Sequence, residues 1–432
     1  MKGPLIATGL VLVVGGVLGL WQHRQAGEWE AVVEGLHGEA ANRGVVLRVN
    51  ASAGRKLRAL EDRNSAKVLH KVNGLVERVE LVERSGGDPD EGLQEQIVSL
   101  AVDLAVMSPS NMRRFLAELR TNTDLSDDTK ARLVGQSILY IAGEHPDVAL
   151  RLLEESKDLL GGGSVVSQAM GNALQAMAEA SPDAALEWLK KNPETMGGVA
   201  REELVHAVLG GAARHDPVVA FRMLSELGLD ASEEACDVIA SALADSQKGR
   251  EALVKAMKGY AEEMENPRGA RKVSAVVMEA VGRGVAKNSF DTVSRWLDGE
   301  ELSESDVAAF AGGLSWFSTG KETGDWLGWM AGRLPEDQLA EPVGSLVADW
   351  VQEDYLAAGE WLVQVPAGPL KIPAVKAYAE TVAAYDPEVA TQWAMTISDG
   401  EARQATLRAI HENWPGEDEE GAARFAAQHG IE

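Results

Sequence analysis

Small and large apolar positions alternate with polar ones at helical spacing, and one short motif marks helix starts. The motif has Pro near its start, Ala three residues later and a large side chain three residues after the Ala. It occupies residues 145–152, 181–188, 216–223 and 386–393, and residues 354–361 with Tyr in place of Pro. The Asp or Ser before Pro supplies an N-cap oxygen, and Pro at the first helical position loses no needed N–H. Each copy therefore predicts the start of a helix whose Ala lets a neighbouring helix approach.

The large position of the motif recurs along most of the chain. It falls at Phe115, Leu152, Trp188, Met223, Met257, Trp296, Trp329, Trp361, Trp393 and Phe425, at intervals of 32 to 39 residues that settle at 32 near the C-terminal end. Such a period has room for two helices of about a dozen residues and two turns, the unit of helix-pair solenoids. Gly- and Pro-rich breakers separate the pairs. The pattern predicts an all-α fold, an α-solenoid of about ten stacked helical hairpins over residues 107–432, with an irregular stretch between Met257 and Trp329.

The N-terminus carries a different pattern. Leu5 to Trp21 is an unbroken run of seventeen apolar, Gly and Thr residues. Because a bilayer-spanning helix needs about 17–25 residues, residues 1–21 are interpreted as a signal anchor, with a cleaved signal peptide as the alternative. Residues 22–106 lack the motif and are predicted to be a helical region, part of it a short coiled coil.

The repeats resemble tetratricopeptide-like and HEAT-like helical repeats over about residues 107–432, most clearly at residues 354–362 and 170–173. The Asp-Pro-x-x-Ala-x-x-Trp motif behind an N-terminal anchor is also similar to helical-repeat proteins of Verrucomicrobia-type bacteria. This chain departs from the tetratricopeptide pattern in its variable period and in placing Pro at the start of the second helix. The resemblance implies binding of a peptide or protein along a concave face, and it carries over no catalytic residue.

The net charge of the chain limits the classes of partner that it can bind. The formal net charge is −26, from 41 Lys and Arg against 67 Asp and Glu. Such a chain repels phosphate backbones, so no nucleic-acid partner is expected. Residues 43–84 reverse the trend with ten basic and five acidic residues. This stretch is interpreted as a solvated helix face, with contact to an anionic membrane surface or an acidic partner as the alternative.

The residues that carry common enzyme chemistry do not form a recognisable pattern. The eight His are scattered without metal-ligand spacing, and His145 and His215 are interpreted as turn or capping residues at helix starts. Cys236 is the one Cys, and its neighbours indicate a small core position rather than a nucleophile. We therefore expect no catalytic residue, no metal-binding or cofactor-binding residue and no cofactor, and ligand-binding residues stay unknown.

The chain contains eleven Trp, which also occur in carbohydrate-binding platforms. Five share the repeat position and are predicted to be core. Four fall outside this register and are better candidates for exposure, although core is favoured for them too: Trp316, Trp326, Trp350 and Trp414.

These patterns favour a non-enzymatic protein- or peptide-binding scaffold of the bacterial cell envelope. The anchor predicts attachment to the inner membrane with the bulk in the periplasm, and secretion after signal cleavage is the alternative. The alternative function is an envelope glycan-acting hydrolase or lyase that uses carboxylates in the solenoid concavity.

Overall fold

The computed structural model describes residues 67–75, 78, 91–105, 107–161, 164–192 and 200–431. Every regular element in these residues is a helix, and they contain no β-strand. None of the described helices has both the length and the apolar composition that crossing a bilayer requires. The apolar segment Leu5 to Trp21 and most of the region 22–106 lie outside the described residues, so the anchor and the coiled coil stay predictions.

The described residues belong to two compact units. The first contains the residues up to Met177 together with Glu187–Ala207, and the second contains Ala178–Leu186 together with the residues from Val208 onwards. In the first unit, residues 67–75 are helical. The helices after them are α1 (Glu91–Ala105), α2 (Pro109–Thr121), α3 (Asp127–Ile141), α4 (Pro146–Glu155) and α5 (Lys157–Leu160). In this unit α3 packs against α1, α2, α4 and α5. Both units take residues from α6 (Ser164–Ala180), α7 (Pro182–Lys191) and α8 (Arg201–His215).

The second unit is a succession of further helices with short connections. They are α9 (Pro217–Leu227), α10 (Glu233–Ser241), α11 (Gln247–Glu263), α12 (Pro267–Arg283), α13 (Phe290–Gly299), α14 (Glu304–Gly313), α15 (Trp316–Thr319), α16 (Thr323–Ala331), α17 (Glu336–Gln364), α18 (Lys371–Val382), α19 (Pro387–Ala394), α20 (Gly400–Glu412) and α21 (Glu419–His429). Helices two apart in the chain contact each other, as α9 with α11, α10 with α12, α12 with α14 and α18 with α20. This neighbour pattern is typical of repeated helix pairs.

The helix starts follow the motif. The Oδ1 atom of Asp216 accepts a hydrogen bond from the backbone N of Val218 at 2.9 Å, and that of Asp386 accepts from Val389 at 3.0 Å. Pro is the first residue of six of the described helices: Pro109, Pro146, Pro182, Pro217, Pro267 and Pro387. The predicted capping role of Asp216 and Asp386 is confirmed.

Long helix α17 contains a motif start in its interior. Asp354 has φ −150° and ψ 78°, which is not helical, and its Oδ1 accepts from the backbone N of Ala357 at 3.0 Å. The residues before and after Asp354 are therefore two helices joined at a kink, as the motif predicts. At the start of α4, the side chain of His145 makes no capping hydrogen bond.

The small and large motif positions are mostly in the core. The motif Ala is buried in all five copies: Ala149, Ala185, Ala220, Ala358 and Ala390. The large position is buried at Phe115, Leu152, Met223, Met257, Trp329 and Phe425, and half-buried at Trp188, Trp296, Trp361 and Trp393. Burial of the Ala is what close helix approach requires.

The favoured assignment of Trp326 and Trp350 to the core is confirmed. Although these two lie outside the repeat register and are better candidates for exposure than the Trp at the repeat position, Trp326 is 1% exposed and Trp350 is 6% exposed. The ring of Trp326 packs among Phe290 and Phe310, with centroids 4.9 and 5.4 Å away. Position outside the repeat register therefore does not mean exposure, and rings from α13 and α14 cover Trp326.

Candidate functional site

A groove of about 640 Å³ lies between α9 and α11 in the second unit. Phe221 of α9 forms its floor and is 1% exposed, and the ring of Tyr260 from α11 stacks on it with centroids 5.2 Å apart. Val218 stands at the rim of the groove and is 59% exposed. The volume lies within the 300–1,000 Å³ range of ligand sites, and a mostly apolar lining with a few polar groups is typical of them.

The side of the groove formed by α11 projects little into it, because the residues that line this side are small. Ala252, Ala256 and Gly259 lie along the same stripe of this helix. A Cβ atom placed on Gly259 would meet no other atom within 4 Å. This wall therefore leaves space over the aromatic floor.

Hydroxyl groups mark one end of the groove. The Oγ of Ser225 donates to Oδ1 of Asp230 at 2.5 Å, and the Tyr260 hydroxyl donates to the backbone carbonyl of Asp230 at 3.1 Å. Burial raises the pKa of the Tyr260 phenol, so the hydroxyl keeps its proton at neutral pH. Since both protons are directed at Asp230, the oxygen lone pairs are what these groups offer to a ligand.

Charged side chains complete the groove, and two of them already have partners. Arg222 pairs with Asp183 at 2.9 Å and with Glu226 at 3.5 Å, and Asp216 caps α9. Lys255 and Glu263 also line the groove, are exposed, and form no ion pair with any residue that the structure describes. These two charges are available to a ligand.

A second cavity, in the first unit, is much smaller. It measures about 40 Å³ and is lined by residues such as Leu153, Leu160, Val166 and Met170. Because one water occupies about 30 Å³ in the liquid, this space is too small for a peptide or a sugar. The α9–α11 groove is the better candidate of the two.

The residues that the sequence singled out for chemistry lie elsewhere. Cys236 is buried, and burial raises the pKa of its thiol to about 12, so it is a core residue as expected. The Nδ1 atom of His215 lies 2.9 Å from the backbone carbonyl of Glu179, in keeping with a role at a turn. Within the described ranges, no group of three or more His, Cys, Asp or Glu is arranged to hold a metal ion.

Sequence reasoning did not find the groove. Phe221 and Tyr260 are 39 positions apart, and only the packing of α9 against α11 brings their rings together. The small residues at 252, 256 and 259 were a signal, since their three- and four-residue spacing places them on one helix face. A small stripe on one helix does not show which aromatic ring lies opposite it.

Comparisons of the chain with protein-family models, with curated proteins and with solved structures found no significant match.

Proposed function

We propose that the protein is a non-enzymatic protein- or peptide-binding scaffold of the cell envelope, and that the groove between α9 and α11 receives the bound segment. The helix pairs are proposed to stack as an α-solenoid of the tetratricopeptide-like or HEAT-like kind. The observation that carries the proposal is the groove, which has an apolar aromatic floor, hydroxyl acceptors and two available charges. Apolar anchoring with a few orienting polar groups is how peptide grooves recognise short segments.

The groove favours binding over glycan cleavage. Glycoside hydrolysis generally needs a pair of carboxyl groups on either side of the scissile bond. Among the carboxylates that line the groove, Asp216 already caps α9, which leaves Glu263 as the uncommitted one. The glycan-acting alternative gains no support from this arrangement.

The proposed cellular location is inferred from the N-terminal residues. Leu5 to Trp21 would anchor the chain in the inner membrane, with the helical repeats in the periplasm. The membrane is then a partner only through this segment. The net charge of −26 supports the absence of nucleic acid among the partners.

The proposal is tested by filling the groove. A display library of random linear peptides is selected for binding to the full-length protein in detergent. The dissociation constants of the selected peptides are then measured by fluorescence anisotropy. In the Gly259→Leu variant, the added side chain occupies open space above the floor, and we expect binding to weaken about tenfold or more. Replacing an exposed helical Gly also favours the helix by about 0.8 kcal/mol, so the melting temperature should not fall.

Gly328→Leu is the matched control. Gly328 is an exposed glycine inside α16, and a Cβ there also meets nothing within 4 Å, but it does not line the groove. Weakening by Gly259→Leu alone supports the proposal. Equal affinity of both variants and the unaltered protein would refute the groove as the binding surface.

A further inference from the structure

Two uncommitted charges of opposite sign lie along one wall of the groove. Lys255 and Glu263 are eight residues apart on α11, and the 1.5 Å rise per residue separates them by about 12 Å along the helix axis. Neither forms an ion pair with a described residue, whereas Arg222 across the groove is already paired. A ligand with a negative end and a positive end would complement this wall.

The separation of the charges indicates the length of such a ligand. An extended chain spans about 3.3–3.6 Å per residue, so about 12 Å corresponds to three or four residues. A peptide of this size carries an α-carboxylate and an α-amine at its two ends, both ionised near neutral pH. A loop of a folded partner presents no such charged ends.

The hydroxyl groups give the ligand a direction. Tyr260 lies one turn before Glu263, and both its proton and that of Ser225 are directed at Asp230, so this end of the groove offers acceptors. Acceptors next to a carboxylate suit the N–H donors of an α-amine. The reverse orientation would place the ligand carboxylate beside Glu263 and Asp230, where like charges repel.

The lining in the middle of the groove indicates which side chains the bound peptide would carry. Phe221 and the ring of Tyr260 form an apolar floor, and exposed Val218 stands beside it. Burying an apolar side chain against this floor gains about 25 cal/mol per Å² of area. Apolar or aromatic side chains in the middle of the peptide would therefore add affinity.

We propose that the ligand of this groove is a short free peptide of three or four residues with apolar central side chains, its α-carboxylate at Lys255 and its α-amine at Glu263. This inference rests on the proposed function and deepens it, because it names the class of peptide. The groove then distinguishes free peptides from segments inside a protein because it binds both charged termini.

The test is calorimetric titration of the full-length protein in detergent with the tetrapeptide Ala-Leu-Phe-Ala. Three forms are compared, with both termini free, with the amine acetylated and with the carboxylate amidated. Each cap removes one charge, and we expect each to weaken binding about fivefold, the upper end of the range for exposed charge pairs. Lys255→Met should abolish the response to amidation alone, and Glu263→Gln should abolish the response to acetylation alone.

Matched controls come from the same helix. Lys248 and Glu262 are exposed residues of α11 that do not line the groove, so Lys248→Met and Glu262→Gln should leave both responses unchanged. Equal binding of the free, the acetylated and the amidated peptide would overturn the inference. An acetylation response that disappears in Lys255→Met would overturn the assigned direction.

The two proposals fail in different ways. If tetrapeptides do not bind while the display-selected peptides remain sensitive to Gly259→Leu, the short free ligand is wrong and the peptide-binding groove stands. If the selected peptides are insensitive to Gly259→Leu, the groove itself is wrong, and both proposals fall.

Discussion

Arg250 is a buried cation that joins two turns of the second unit. Its guanidinium donates to the backbone carbonyl of Ala244 at 2.7 Å, to that of Gly284 at 3.3 Å and to the side-chain oxygen of Asn288. Burial lowers the pKa of Arg250, yet an arginine stays charged because its ordinary pKa is so high. Without the guanidinium, the buried carbonyls of Ala244 and Gly284 would lose this donor.

Replacing this side chain should destabilise the fold. We expect Arg250→Met to lower the free energy of unfolding by about 2–4 kcal/mol, because it strands buried acceptors. Urea unfolding followed by circular dichroism measures the loss. Arg271→Met, at an exposed position of α12, should change stability by less than about 0.5 kcal/mol. Similar losses in the two variants would contradict a structural role for the Arg250 contacts.

Glu380 is a half-buried carboxyl on α18 that should make stability depend on pH. Burial raises the pKa of Glu380. The Nζ of Lys376, 3.9 Å from Oε1 of Glu380, lowers this pKa, and the charge of Glu412 raises it. Because the folded-state pKa exceeds the unfolded one, the folded state holds this proton more tightly. Its stabilising contribution is therefore present at acid pH and lost as the pH rises through the folded pKa.

The amide Glu380→Gln removes this dependence. We expect it to raise the melting temperature more at pH 8 than at pH 4, as measured by differential scanning calorimetry. Glu388→Gln, at an exposed position of α19, should shift the melting temperature equally little at both pH values. A Glu380→Gln effect that is the same at pH 4 and pH 8 would count against a raised pKa.

At the scale of elements, glycines set how closely α12 and α14 approach. A Cβ on Gly282 would overlap the backbone carbonyl of Phe310, and one on Gly313 would overlap that of Glu279. Since these obstacles are backbone atoms, a rotamer change cannot relieve the overlap. The two helices pack at this distance because both positions lack a side chain.

Two Gly-to-Ala variants should therefore have opposite effects. Gly282→Ala forces the helices apart and should cost about 1–3 kcal/mol of unfolding free energy. Gly312→Ala, in α14, places its Cβ in open space and should stabilise by about 0.5–1 kcal/mol through helix propensity. Chemical denaturation of both variants checks the signs, and stabilisation by Gly282→Ala would contradict the close approach.

The stretch in which the sequence motif weakens contains additional short helical segments. Between Met257 and Trp329 the chain adds the short helix α15 and the two 3₁₀ segments Gly284–Lys287 and Gly320–Glu322. These short segments lie between the longer helices of this stretch. The motif weakens there because helix starts are set by other local signals, such as the capping box of Ser303 and Asp306.

At the scale of the whole molecule, the N-terminal segment is proposed to decide where the protein resides. We expect the full-length chain to sediment with membranes after alkaline washing, because an apolar helix of this length partitions into the bilayer. A variant that lacks residues 1–21 should stay in the cytoplasmic fraction. Immunoblots of the fractions measure this, and mass spectrometry shows whether residues 1–21 are retained.

Each outcome of the fractionation supports or contradicts a particular cellular location. A full-length chain in the membrane pellet supports the anchor. A shortened chain in the periplasm or the medium would favour the cleaved signal peptide instead, and a full-length chain in the cytoplasm would contradict both.

The amino-acid pattern by itself determined the helical class, the helix starts and the residues that allow close packing. These are local properties, since an Asp or Ser cap, a Pro in the first turn and a buried Ala act within one or two helical turns. The starts at Asp216, Asp354 and Asp386 and the buried Ala of each motif could therefore be predicted. Cys236 was assigned to the core on the same local grounds.

Only the tertiary structure decided which residues meet across helices. Trp326 is covered by aromatic rings from two other helices, Arg250 reaches turns on both sides, and Phe221 meets Tyr260 to form the groove floor. These contacts join residues 16 to 39 positions apart, so they depend on how whole helices pack. The available charges of Lys255 and Glu263 are likewise visible only once the partners of their neighbours are known.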